Sequence, residues 1–356
     1  METGIWNFDV REACCHFLDT LTACQRDNGQ LPAMAPTGSF GYNWGNGPLF
    51  DSVIFEYCYQ IYLFYGDSEP IRRYYEPMKR YLDYCQSMAP DFLAQFGLGD
   101  WKPPADITLT DPAVVTTAFY HLNVLKMSFF ADLLGKTADA DHYKTLAENI
   151  ADAFRKNYPA PDTMTALACA LHSKIITGKD AADTAAKLAE LCRKNQHKAL
   201  FGIAGAKCIP RALAENGYAS DAYKIITQTE YPGWGWQVKQ GATSLWEAWH
   251  GGESQNHIMY GDISAWMYQY LGGIKPQLET PGFKHCRIEP IFIDELDFVK
   301  MSHTAPAGVW KSSWQRKGNM VECIFELPLN CTAQVVLPGV NEIISAGVNK
   351  FTISGK

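Results

Sequence analysis

The 356-residue chain contains no apolar run of eighteen residues, so it offers no candidate membrane-spanning helix. Its opening, METGIWNFDVREACC, lacks the basic start and long apolar core of a secretory signal. Charged residues are scarce, at 19%, which argues against a disordered chain. A net charge of −7 disfavours nucleic acid or an anionic membrane as the main partner. Several catalytic signatures are also missing. No serine sits in a G-x-S-x-G elbow, GYNWGNGP lacks the Lys and Ser/Thr of a phosphate loop, and no acid cluster has calcium-loop spacing. The eleven cysteines show no metal-ligand spacing, and their odd number in a large chain argues against a disulfide framework. Cys14, Cys58 and Cys85 fall at apolar helical positions. The expectation is free buried thiols in a reducing, cytoplasmic compartment, with no metal and no cofactor.

What is present is a 47% hydrophobic content, enough for a sizeable core, in a chain long enough for two domains. In NFDVREACCHFLDTLTACQ, Val10, Cys14, Phe17, Leu18, Leu21 and Cys24 share one helical face, and Asn7 is available as the cap. DSVIFEYCYQIYLFYGD is apolar almost all round, as a buried helix is. Further helical runs are expected near 70–88, 112–134, 137–157, 180–194, 199–216 and 218–227. The last helix lies in GDISAWMYQYLGG, with Ile263, Trp266, Met267 and Tyr270 on one face and Gly272 as its stop. GGIKPQLETPGFKH reads as a linker. Beyond it, MVECIFELP alternates, with Val321, Cys323, Phe325 and Leu327 on one face, after a KGN hairpin turn. TAQVVLPG and KFTISG continue that texture. The predicted architecture is an (α/α)6 toroid over residues 1–275, followed by a small antiparallel β-sandwich over 276–356. Nine or ten helices are counted where a six-pair ring needs about twelve. Either some escape the count or the ring is incomplete at its start.

Four loops concentrate acids, glycines and flat aromatic faces, a composition suited to holding a sugar. Glycoside cleavage needs two carboxyl groups about the bond, one to protonate the leaving oxygen and one to activate water or attack. PTGSFGYNWGNGPLFDS carries Tyr42, Trp44 and Phe50, with Asp51 either capping the next helix or binding a hydroxyl. FGLGDWKPPAD places Asp100 beside Trp101 in a proline-stiffened loop, where the bland reading is a turn acid and a core indole. In EYPGWGWQVKQGATSLWEAW, Glu247 lies between Trp246 and Trp249, and apolar surroundings of this kind suit acid–base work. ESQNHIMYGD offers His257, either a hydroxyl partner or a satisfied buried imidazole. Glu253 and Asp262 read as a loop acid and a helix-start acid. A toroid epimerase or isomerase is a competing class, but His250 and His257 are its only close histidine pair, and it leaves Glu247 unexplained. A purely structural module needs no such loops.

Through YNWGNGPLFDS, YLFYGDS, GLGDWKP, YPGWGW, GATSLWEAW, SQNHIMYGDISAWMYQYLGGIKP and PGFKH, the sequence resembles the α-L-rhamnosidases of glycoside hydrolase family 78. The order and spacing agree from near Ile5 to about residue 340. The resemblance implies an (α/α)6 barrel with a C-terminal β-sandwich and an inverting hydrolase of terminal α-L-rhamnosides. Its partner would be a rhamnose-containing oligosaccharide or glycoside. It implies Glu247 as the general base, and Asp51, Asp100 and His257 lining the sugar pocket. Trp44, Trp101 and Trp234 would be its walls, with Trp246 beside the base. The family's general acid is a Glu in a motif ending Gly-Trp-x-Gly-Asp, upstream of the position matching Glu2, and that motif is not in this sequence. The expectations are therefore a segment of a larger or split enzyme, completed by an upstream segment, or a rhamnoside-binding remnant. Little hydrolysis would come from the chain alone, and apolar surface left by a missing barrel helix would favour self-association.

Overall fold

A computed structural model describes residues 2–105 and 107–355. Its helices are α1 (Glu2–Asn7), α2 (Arg11–Ala23), α3 (Val53–Tyr65), α4 (Glu69–Arg73), α5 (Tyr75–Met88), α6 (Pro112–Leu133), α7 (Thr137–Asn157), α8 (Met164–His172), α9 (Gly178–Lys194), α10 (Ile203–Glu215), α11 (Ala219–Ile226), α12 (Trp234–Lys239) and α13 (Ile263–Trp266). Six strands follow: β1 (Ile274–Pro276), β2 (His285–Ile288), β3 (Phe298–Ala305), β4 (Gly308–Lys317), β5 (Met320–Leu337) and β6 (Val340–Ser354). The chain divides into two compact units, one of residues 12–57 and 71–261, the other of 1–11, 58–70 and 262–356. No described helix is long and apolar enough to cross a membrane.

The larger unit is built of helical hairpins. α6 packs on α7, α8 on α9, and α10 on α11, and each pair is joined by a link of a few residues, which makes packed neighbours of consecutive helices. α6 starts firmly because Pro112 occupies its first turn and the Asp111 side chain accepts from the Ala113 N–H at 2.9 Å, a proline-plus-cap start. α7 is amphipathic and buries Tyr143, Ala147, Ile150 and Phe154 on one face. α8 was missed by periodicity because Met164–Leu171 is buried all round. A short run of that kind carries no stripe to read. Thr163 marks its start, its hydroxyl accepting from the Ala166 N–H.

The smaller unit corrects several sequence expectations. Asn7 does not cap a single long helix; it ends α1, and α2 begins afresh at Arg11. The helix from Ile263 is α-helical for one turn only and continues as a π-helical turn over Met267–Leu271. Gly272 keeps φ −76°, and the left-handed residue is Gly273, at φ +71°. A Cβ on Gly273 would stand 2.2 Å from the Pro290 nitrogen, so the close approach requires glycine. The stretch read as a linker carries β1 and the first residue of β2, with Phe283 fully buried.

TAQVVLPG is not a separate strand; it continues MVECIFELP as β5, with one register shift between Leu327 and Thr332. β6 pairs antiparallel along the whole of β5. On the other edge, the first half of β5 pairs antiparallel with β4 and the second half parallel with β2. Val321, Cys323, Phe325 and Leu327 are buried together, the alternation expected of a strand with one covered face. The KGN turn joins β4 to β5, with Gly318 at φ +60°. β4 is tied to the π turn, Trp314 Nε1 donating to the Leu271 carbonyl at 2.9 Å and Ser312 Oγ to that of Gly272 at 2.5 Å. All eleven cysteines are free.

Candidate active site

The four loops singled out in the sequence belong to the larger unit, except that Asp262, at the end of the fourth, falls in the smaller one. The first two lean on each other through glycine. Gly47 and Gly97 have φ of +123° and +111°, and a Cβ on Gly97 would come within 2.5 Å of the Asn46 carbonyl. The two backbones thus touch where any side chain would separate them. Trp101 meets Trp44 edge-on, with centroids 6.0 Å apart, and Trp44 remains 42% exposed. The two indoles present an open aromatic corner.

Asp51 is buried and does not cap α3. Its Oδ2 accepts from the Gly47 N–H at 3.0 Å and from the Tyr81 hydroxyl at 2.9 Å. Burial pushes its carboxyl up to about 7, against the opposing pull of those two hydrogen bonds. Asp100 is held more tightly. Oδ2 accepts from Thr165 Oγ1 at 2.6 Å and the Gly202 N–H at 2.9 Å, and Oδ1 from the N–H groups of Ala204 and Gly205 at 2.9 and 3.0 Å. The carboxylate thereby serves the otherwise unsatisfied amides at the start of α10 and ties the second loop to α8 and α10. Burial raises its pKa and these four donors oppose the rise. Beside it, a cavity of about 370 Å³ is lined by Asp100, Trp101, Lys102, Thr110, Thr163 and Leu200, among others.

The third and fourth loops form one folded excursion over residues 241–261. The His257 N–H donates to the Leu245 carbonyl at 2.8 Å, and the Glu247 N–H to that of Ser254 at 2.9 Å. The Ser254 N–H donates back to Glu247 Oε2 at 3.4 Å. Glu247 is half-buried at a bend, pinned by its own backbone, while among the described residues its carboxylate keeps only that long contact. Gly251, at φ +75°, lets the Trp246 ring lie where a Cβ would be 2.5 Å away. His257 Nδ1 accepts from the Met259 N–H at 3.0 Å, so in the neutral ring the proton sits on Nε2, available as a donor. His250 Nδ1 closes its own turn by accepting from the Gly252 N–H at 2.9 Å.

Two of the expected tryptophans stand behind this surface. Trp234 is 4% exposed and Trp246 8%. Trp234 Nε1 donates to the Tyr260 carbonyl at 3.1 Å, and its ring packs edge-on to Trp249 at 5.1 Å. Trp249 stacks on Tyr260 at 4.1 Å and donates to the Phe201 carbonyl at 2.7 Å. Sequence reasoning missed the residues that join the loops. The Tyr260 hydroxyl donates to the Lys102 carbonyl at 2.6 Å, and Lys102 forms an ion pair with Glu253. Tyr260 is raised by burial first, then by the fields of Asp100, Glu253, Tyr231 and Glu247, so those three carboxylates are felt at one hydroxyl. No local signal announces a Lys–Glu pair 151 residues apart. Among the described residues, no group of three or more His, Cys, Asp or Glu is placed to hold a metal ion.

Helical hairpins followed by a C-terminal β domain, with acids and tryptophans gathered in the hairpin loops, define the six-hairpin glycosidase class. Residues 1–271 match the family described as the bacterial alpha-L-rhamnosidase 6 hairpin glycosidase domain, and residues 273–352 match the bacterial alpha-L-rhamnosidase C-terminal domain. The chain belongs to this bacterial α-L-rhamnosidase family. An Alteromonas α-L-rhamnosidase is 27% identical over 93% of the chain and 38% of its own length. One from Formosa agariphila is 26% identical over 98% of the chain and 40% of its own length. The chain thus spans about two fifths of the curated relatives it matches. The solved α-L-rhamnosidase of Dictyoglomus thermophilum superposes with a TM-score of 0.91 at 25% identity, covering 99% of this chain and 44% of that one. The Streptomyces avermitilis α-L-rhamnosidase, solved with L-rhamnose, gives a TM-score of 0.87 at 23% identity, over 95% of this chain and 36% of that one.

Proposed function

We propose that the chain carries the base-bearing part of an inverting α-L-rhamnosidase acting on terminal α-L-rhamnosides, with residues 1–275 as the glycosidase domain and 276–356 as the β domain. Glu247 is the general base. The observation that carries this reading is the Glu247 bend: a carboxylate fixed by its own backbone in the loop that also holds Trp246, His257 and Glu253. In an inverting reaction this group takes a proton from the water attacking the anomeric carbon, on the face opposite the leaving oxygen. The aromatic corner of Trp44 and Trp101 suits the C–H face of the sugar, and His257 Nε2–H suits a hydroxyl. Asp51 and Asp100 shape the pocket through the loops they hold. Trp234 and Trp246 act from behind, by fixing Tyr260 and the Glu247 bend.

The test is hydrolysis of p-nitrophenyl α-L-rhamnopyranoside, a substrate whose leaving group needs little protonation. The anomer first formed is read by proton NMR. Glu247→Gln should lower the rate by about 10²–10⁴ while leaving rhamnose affinity within threefold. Unchanged turnover in that variant, or retention of anomeric configuration, would overturn the assignment.

A further inference from the structure

The smaller unit encloses a second cavity, of about 400 Å³, built from α1, the end of α3, the π turn and β3. That size falls within the range of small-molecule sites, near its lower end. None of the candidate active-site residues lines it. We propose that this cavity is a binding site for one neutral pyranose, with His303 Nε2 as the hydroxyl acceptor.

His303 lines the cavity and is only 5% exposed. Its Nδ1 lies 3.0 Å from the Trp6 carbonyl, at the end of α1, where helix carbonyls lack intrahelical partners. A carbonyl only accepts, so Nδ1 carries the proton. Burial depresses the imidazole's pKa against that bond, which keeps the ring neutral and leaves Nε2 a bare lone pair. No described residue donates to it. A ring nitrogen with a free lone pair can accept from a hydroxyl arriving from the cavity.

The walls and rim define the rest of the ligand. Trp6 is locked by Tyr268 stacked at 4.8 Å and Phe64 edge-on at 5.0 Å, so the apolar wall is rigid. Phe8, 72% exposed, offers a free ring at the mouth for a sugar C–H face. Ser302 and Thr304, whose side chains alternate away from His303 along β3, add no charge to the lining. No lysine or arginine lines the cavity, and its one carboxylate, Asp9, accepts from the Tyr65 hydroxyl at 2.9 Å. An anion finds no counter-charge there and meets Asp9. A molecule with hydroxyls on several sides and C–H faces matches this lining.

The test follows the His303 Nε2 resonance by long-range ¹H–¹⁵N NMR in the whole chain. The chain carries Trp101→Ala, which removes one wall of the proposed active site and leaves this cavity's lining unchanged. L-Rhamnose, D-glucose and D-galacturonate are each titrated. The expected result is a saturable Nε2 shift with a neutral sugar, at least tenfold weaker with galacturonate. Phe8→Ala, an exposed position, should weaken the shift without lowering the melting temperature. No saturable shift with either neutral sugar, an equal response to galacturonate, or undiminished binding in Phe8→Ala would overturn the proposal. Since the readout is a residue of this cavity and not of the proposed active site, these outcomes do not depend on whether the chain is a rhamnosidase.

Discussion

Replacing Asp51 with asparagine should change how stability responds to pH, and the sign is set by the structure. The folded carboxyl titrates near 7 because it is buried, against 3.8 for an ordinary aspartate. Between those values the folded chain holds a proton that the unfolded chain has released. Stability from this residue is therefore fully present below about pH 4, is lost as pH rises through 7, and stays lost above it. The difference is about a thousandfold in proton affinity, or about 4 kcal/mol. Asparagine keeps the shape and can accept from the Gly47 N–H and Tyr81 hydroxyl, but it does not titrate. Urea unfolding of both proteins at intervals from pH 4 to 8 gives a difference curve. In that curve every other titrating group cancels, His121 included, whose buried imidazole is lowered to about 4. The wild-type chain should lose about 4 kcal/mol relative to Asp51→Asn across that span. A flat difference curve, changing by less than about 1 kcal/mol, would refute the reasoning.

Three further outcomes follow from the loops. Asp100→Asn can turn its amide oxygen to the Ala204 and Gly205 N–H groups, but its NH₂ then faces the Gly202 N–H. It should cost about 1–3 kcal/mol for that stranded donor, read as a lower urea midpoint at unchanged m-value. Gly97→Ala combines a left-handed φ with a Cβ 2.5 Å from the Asn46 carbonyl and should cost about 2 kcal/mol or more by the same assay. Lys102→Met should lower stability by no more than about 1 kcal/mol, because the Glu253 pair is partly exposed. It should still raise the KM for the nitrophenyl rhamnoside, because the two loops lose their clasp. An unchanged KM would show that the pair does not organise the site.

The helices were legible in the sequence wherever one face is buried and the other wet, as in α7 and α9. α8 was not, because a helix covered on all sides has no stripe. The alternation in β5 was visible, but the continuity of the strand was not, since Pro328 and Asn330 read as a break while β6 carries the pairing across it. The crowding of acids and tryptophans was plain in the sequence; the disposition of each acid was not. Asp100 is engaged by amides more than a hundred positions away, and Asp51 by Tyr81 on α5. Neither arrangement leaves a mark on local spacing. Lys102 and Tyr260, which fasten the loops together, were invisible for the same reason.

The apposition of Gly47 and Gly97 has a consequence for how such a chain can diverge. Two segments fifty residues apart behave as one heritable object, because a side chain gained by either pushes the other away. Single-codon changes at these positions lead out of the folded population, so drift there is blocked unless both segments are rebuilt at once. Variation is channelled instead to exposed side chains such as Trp44, where a change alters what the chain grips without disturbing how the grip is assembled.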